Sequence, residues 1–189
     1  MTQKIPRRGD NVRVRFVPLL LIASALAFGD VRNCSCDTAN AESMAKRECG
    51  LCREAEKQPA GVAAFLLKDS SPHKPNRWLA LPRTHAHSLA DLTPAQRTAL
   101  WTTAITKARE LWGDQWGLAV NGVVRRSQCH IHIHIGKRLD DTEAAEFITV
   151  DGPADIPLPK DDSGVFVEPA GGKLRVHLGD DAPELLLMR

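Results

Sequence analysis

Gln128-Cys-His-Ile-His-Ile-His-Ile135 is the stretch on which the reading of this chain turns. Apolar and imidazole side chains alternate through it with a period of two, the period of a half-buried strand. On such a strand Ile131, Ile133 and Ile135 share one face, and His130, His132 and His134 share the other. The isoleucine face suits a core. Three imidazoles on one side suit neither a core nor plain solvent, so the histidine face is expected to line a cleft. Two chemistries fit it. Three imidazoles can hold a catalytic zinc ion. They can equally serve as nucleophile and hydrogen-bond donors with no metal.

The elements around this strand predict an α+β domain. Val62–Leu67 and Arg77–Leu81 read as strands, the second closed by Pro82, with turn formers from Asp69 to Asn76 between them. Thr93-Pro-Ala-Gln96 is a helix start. Thr93 can cap, Pro94 suits the first helical position, and Gln96 can complete a capping box. Leu100, Trp101, Ala104, Ile105, Ala108, Leu111 and Trp112 then recur at three- and four-residue steps until Gly113, so one long helix should bury that stripe. Leu118–Val120 begins a strand that ends at Asn121. Val165–Glu168 and Leu174–Leu178 flank Pro169-Ala-Gly-Gly172 and predict a carboxy-terminal hairpin.

The chain has 189 residues, 43% hydrophobic and 25% charged, which is the composition of a folded domain rather than a disordered segment. The length predicts one domain. Its formal charge of +2 is unevenly spread. Residues 1–27 carry Lys4, Arg7, Arg8, Arg13 and Arg15 against the single acid Asp10, which leaves the remainder mildly acidic. A basic groove for long nucleic acid is therefore not expected. Phe16–Gly29 is an apolar run of 14 residues ending near the small-x-small pattern Ala25-Leu-Ala27. A basic start, a short apolar middle and small residues at the end describe a signal peptide or an anchor over 1–27. The protein is then exported or membrane-anchored on the periplasmic side. Residues 28–48 read as a linker that leads into a short helix.

Cysteines stand at 34, 36, 49, 52 and 129, an odd number that cannot all pair within one chain. Cys49-Gly-Leu-Cys52 has the spacing of a zinc knuckle, and also of a redox pair or a disulfide. Cys34-Ser-Cys36 suggests no function. Cys129 is expected on the isoleucine side as a buried thiol. His73, His87 and His177 read as surface histidines.

His130-Ile-His-Ile-His-Ile135 resembles the motif of the histidine triad superfamily, which includes nucleotide hydrolases and transferases, galactose-1-phosphate uridylyltransferase and CDP-diacylglycerol pyrophosphatase. The resemblance extends over roughly 49–138. It takes in Cys49-x-x-Cys52, Leu79-Ala-Leu-Pro-Arg-Thr-His85, Leu89-Ala-Asp-Leu-Thr-Pro94 and Asn121. It implies a histidine-triad-like domain over 49–140, an antiparallel sheet with the long helix packed on it. Residues 141–189 would then be an extension that carries the hairpin. A homodimer is implied as well.

The resemblance implies a mechanism too. His132 is the nucleophile that attacks the α-phosphorus of a nucleotide derivative, and the nucleotidyl-histidine is then cleaved by water. His134 and Ser127 are donors to phosphate oxygens or the leaving group. Asn121 is implied to bind substrate and Gln128 is expected to do so, while Arg126, which departs from the commoner residues before the serine, can add a charged phosphate contact or be a solvated loop charge. Cys49, Cys52, His85 and His130 are implied to hold a structural zinc, with no cofactor needed for catalysis. The lead-in Arg126-Ser-Gln-x-His130 is similar to the CDP-diacylglycerol pyrophosphatase branch, whose partner is a nucleotide-lipid at a membrane. Gly136 departs from a commoner larger apolar residue. Two further classes stay open, a nucleotide-binding module without turnover and a secreted metal-binding or redox protein.

Overall fold

The computed structural model describes residues 31–34, 36–139 and 146–189. The expected signal or anchor at 1–27 lies outside the described residues. Among the described residues no helix is long and apolar enough to cross a membrane.

Seven strands make one antiparallel sheet. They are β1 (Ala64–Lys68), β2 (Trp78–Pro82), β3 (Trp116–Val120), β4 (Ile133–Lys137), β5 (Ile148–Val150), β6 (Val165–Ala170) and β7 (Lys173–Leu178), in the spatial order β1-β2-β4-β3-β6-β7-β5. Two short helices, α1 (Ala41–Ala45) and α2 (Gly50–Glu56), precede the sheet, and α3 (Pro94–Trp112) joins β2 to β3. The expected α+β architecture, an antiparallel sheet with one long helix on it, is present. The expected hairpin is β6 and β7, and it is built into the sheet. Leu118 of β3 is in register with Val167 of β6, so residues beyond 141 complete the same core.

The capping box of α3 forms as the residue types dictate. The Gln96 amide donates to Thr93 Oγ1 (3.3 Å), and the Thr93 amide donates to Gln96 Oε1 (2.9 Å). At the other end Gly113 adopts φ +58°, which ends the helix. Leu100, Trp101, Ala104, Ile105 and Ala108 are buried against the sheet face formed by Trp116, Leu118, Ile131, Ile133, Ile135, Val165 and Val167. Each large side chain so buried contributes about 1.5–3 kcal/mol relative to exposure. Leu111 departs from the expected stripe and is 39% exposed.

The strand holding the histidines is shorter than its alternation suggests. β4 begins at Ile133, and residues 128–132 approach it without ladder pairing. The isoleucines nonetheless all reach the α3 core. Cys129 does not. It is bonded to Cys34 and packs with Val31, Met44, Cys49 and Cys52. The expectation of a free thiol on the isoleucine side is therefore corrected, because the strand period does not extend back to position 129. A second disulfide joins Cys36 to Cys49. Cys34 and Cys36 thus tie the segment before α1 to Cys129 and Cys49 respectively.

Candidate functional site: the histidine face of the sheet

On the sheet face opposite α3, His134 lies in register with Leu79 of β2 and Ala119 of β3. The His132 and His134 rings meet edge to face with centroids 4.7 Å apart. Both are almost wholly buried, at 5% and 6% exposure. His132 Nδ1 lies 2.9 Å from the His130 carbonyl. A carbonyl only accepts, so Nδ1 carries the proton and Nε2 is left with the lone pair. Burial lowers the basicity of His132, outweighing the bond to the His130 carbonyl, and nearby Arg126 lowers it further. Burial first, then His132, holds His134 well below the usual imidazole range. Both rings are therefore neutral near pH 7.

Asn121 stands at the end of β3, as the sequence suggests. Its Nδ2 donates to Glu184 Oε2 (2.8 Å), and its Oδ1 accepts from the Glu184 amide (3.2 Å). His134 Nε2 lies 3.3 Å from the same carboxylate oxygen. The other oxygen, Oε1, is ion-paired with Lys74 and lies 3.4 Å from Arg77 Nη1. Arg77 is 2% exposed and donates to the carbonyls of Glu184 (3.1 Å), Leu187 (2.8 Å) and Met188 (2.7 Å). Glycines make room for this arrangement. Gly117 and Gly136 are partners across β3 and β4. A Cβ on Gly136 would lie 2.9 Å from Arg77 Cδ, and one on Gly117 would lie 2.6 Å from Leu187 Cδ2. Gly136, where a larger residue was expected, is thus the floor beneath Arg77. Burial would raise the Glu184 carboxyl, but its neighbours win and hold it at about 2. His134 is the first of those neighbours, followed by the Lys74 ammonium and then the Asn121 amide.

The other expected site residues separate. Arg126 is buried beneath the turn after His85. Its Nη1 donates to the His87 carbonyl (2.6 Å), while its Nε has no partner. It lines a cavity of about 340 Å³ with Arg32, His87, Ser88, Asp91 and Asp162. Ser127 is exposed and lines a different cavity, about 190 Å³, with Arg47, Glu48 and Cys129; neither His132 nor His134 lines it. Gln128 binds backbone rather than facing a cleft. Its Oε1 accepts from the Leu51 amide (3.1 Å), and its Nε2 donates to the Arg47 carbonyl (3.0 Å). The geometry gives no sign of the substrate contact expected of Gln128. Both ends of its amide are spent fixing the entry to α2.

Of the four expected zinc ligands, three converge. Cys52, His85 and His130 place one donor atom each within 4.8 Å of one another, with Cys52 Sγ 3.8 Å from His85 Nε2. Cys49 is corrected: its sulfur is bonded to Cys36 and is not a ligand in this state. His130 Nε2 donates to the Pro82 carbonyl (2.8 Å), which leaves Nδ1 with a lone pair, buried and without a partner. Burial holds His130 at about 4 and lowers His85, so both imidazoles are neutral, as ligands must be. Burial pushes the Cys52 thiol up to about 11. Two neutral imidazoles and one thiol fit a zinc ion, which would draw off the thiol proton on binding.

Lys74, Arg77 and Glu184 are the participants that sequence reasoning missed. Lys74 and Arg77 lie in and just after a turn-rich segment, and Glu184 lies in an acidic tail 110 residues beyond Lys74. No local pattern connects them. Comparison with protein-family models, with curated proteins and with solved structures finds no match.

Proposed function

We propose that the protein is a histidine-triad-like hydrolase of nucleotide derivatives that cleaves at the α-phosphate through His132. The observation that carries this reading is the fixed tautomer of His132. Its Nδ1 proton is spent on the His130 carbonyl, which leaves Nε2 as a neutral lone pair beside His134 and near Arg126. Nε2 attacks phosphorus and forms a P–N bond, while the leaving group departs with the pair of the bond that breaks and takes a proton from solvent, to which the attacking water of the second step returns one. Water then breaks the P–N bond, delivers the nucleotide and restores the neutral ring. Asn121 and His134 offer donors to phosphate oxygens. Ser127, exposed two residues before Cys129, is the further donor that the resemblance implies.

Cys52, His85 and His130 would hold a structural zinc. Bound there, it would fix the orientation of His130 and hence of the carbonyl that anchors His132. The two disulfides accord with an oxidising compartment and support the reading that the chain is exported.

A second reading, cleavage of CDP-diacylglycerol to phosphatidate and CMP, rests on one observation. A cavity of about 520 Å³ combines Lys74 and Arg77 with Leu139, Leu185 and Met188, so it offers cations beside an apolar wall.

The test is turnover of an adenosine phosphoramidate, diadenosine polyphosphates and CDP-diacylglycerol in micelles, with His132→Ala beside the wild type. A loss of about a thousandfold in the variant, roughly 4 kcal/mol of barrier, is expected. The preferred compound names the branch. Nucleotide binding without turnover of any compound would leave a binding module instead.

A further inference from the structure

The His134 face is filled by the chain's own carboxylate. Glu184 is 15% exposed at its side chain, and both of its oxygens are engaged. Four nitrogen groups from three separate parts of the chain converge on them. Lys74 and Arg77 come from the β1–β2 connection, Asn121 directly follows β3 and His134 lies on β4. Two of the four are cations. A single carboxylate is a small anion for such a set. A phosphate group brings a larger charge and three terminal oxygens, and it matches these donors in kind.

Resting on the reading of His132 as a nucleophile toward phosphorus, we propose that Lys74, Arg77, Asn121 and His134 form the site for a phosphate group of the ligand. Glu184 occupies that site as a built-in competitor, which an entering phosphate displaces.

The geometry shows how the competitor is held and how it can leave. The segment after Pro183 is anchored independently of the Glu184 side chain. Arg77 grips three of its carbonyls, Leu187 seats over Gly117, and the Met188 amide donates to the Lys137 carbonyl (2.8 Å). The carboxylate can therefore withdraw while the segment stays docked. Beside it lies the cavity of about 520 Å³ lined by Lys74, Arg77 and Glu184, which is where a displaced carboxylate or the rest of a ligand can go. A site competent only when Glu184 is out has its dissociation constant raised by the reciprocal of the fraction of time it is open.

The test is calorimetric binding of inorganic pyrophosphate to the full chain, compared with Glu184→Gln, Glu184→Ala and Lys74→Ala. Asp151→Asn, an exposed position paired with Lys173, controls for the change in net charge. Thermal melts confirm that each variant folds. Both Glu184 variants are expected to bind pyrophosphate at least about tenfold more tightly than the wild type. Lys74→Ala is expected to bind it more weakly than the Glu184 variants, and Asp151→Asn as the wild type does. Unchanged affinity in both folded Glu184 variants overturns the proposal, and so does an equal gain in Asp151→Asn. The outcome is independent of catalysis. Tighter pyrophosphate binding without turnover of any nucleotide keeps the anion site and removes the hydrolase. His132-dependent turnover with no gain in the Glu184 variants does the reverse.

Discussion

His130, His132 and His134 carry the same side chain at a spacing of two, yet each has a different use because its neighbours differ. His130 gives Nε2–H to the Pro82 carbonyl and keeps a buried lone pair near Cys52 and His85. His132 gives Nδ1–H to the His130 carbonyl and keeps Nε2. His134 stands beside an ionised carboxylate. The alternation announces that the histidines are special but assigns no tautomer, since a tautomer depends on which carbonyl lies opposite the ring. The His130 cluster yields a prediction at this scale. Full-length protein equilibrated with zinc and then desalted should retain about one zinc per chain. Cys52→Ser should lose it, as read by atomic absorption. Equal zinc in the variant would remove these three residues as the ligand set.

At the scale of elements, the loops carry as much of the site as the strands. The start of α3 is tied to the turn that holds His85, because Gln96 Nε2 donates to Thr84 Oγ1 (2.8 Å). Asp91 Oδ2 accepts from the amides of His87 (2.9 Å) and Ser88 (2.8 Å) and closes the same turn. Gln128 and the Cys129 amide, which donates to the Glu48 carbonyl (2.8 Å), hold the lead-in to β4 against α2. The paired glycines of β3 and β4 form the bed for the carboxy-terminal segment. Gly136→Ala would press on Arg77 and on Leu187 Cβ (3.2 Å) and should cost about 1–3 kcal/mol, lowering the melting temperature by several degrees. An unchanged melting temperature would show that Arg77 shifts at no cost.

For the molecule as a whole, the disulfides act over very different distances. Cys34–Cys129 spans 95 residues, whereas Cys36–Cys49 spans 13. Loop-closure entropy makes the longer one the larger contributor, by about 1–2 kcal/mol. Reduction of both should therefore lower the melting temperature markedly. Cys34→Ser with Cys129→Ser should account for more of that loss than Cys36→Ser with Cys49→Ser, as followed by calorimetry. The opposite order would mean that the segment before α1 is held by the packing of Val31 with Met44 and Val123 rather than by the long cross-link. Near these cross-links, Leu51 and Ala55 of α2 pack with Phe65, Leu79 and Leu81 of β1 and β2.

The sequence by itself determined the α+β class, α3 with both of its ends, the strand carrying the isoleucines, and the hairpin of β6 and β7. Those follow from periodicity and from capping and turn chemistry, which act within a few residues. It also placed Asn121 at a strand end, while Cys52, His85 and His130, which converge, were implied only by the resemblance. Only the tertiary structure decided which cysteines pair, that Gln128 bonds to backbone, and that Ser127 lines a cavity with Arg47 and Glu48. It alone brought Lys74, Arg77 and Glu184 to His134. Each of those outcomes is a contact between segments far apart in the chain, set by how the sheet stacks its strands. A side chain's identity fixes what it can bond to, and the fold chooses among the partners.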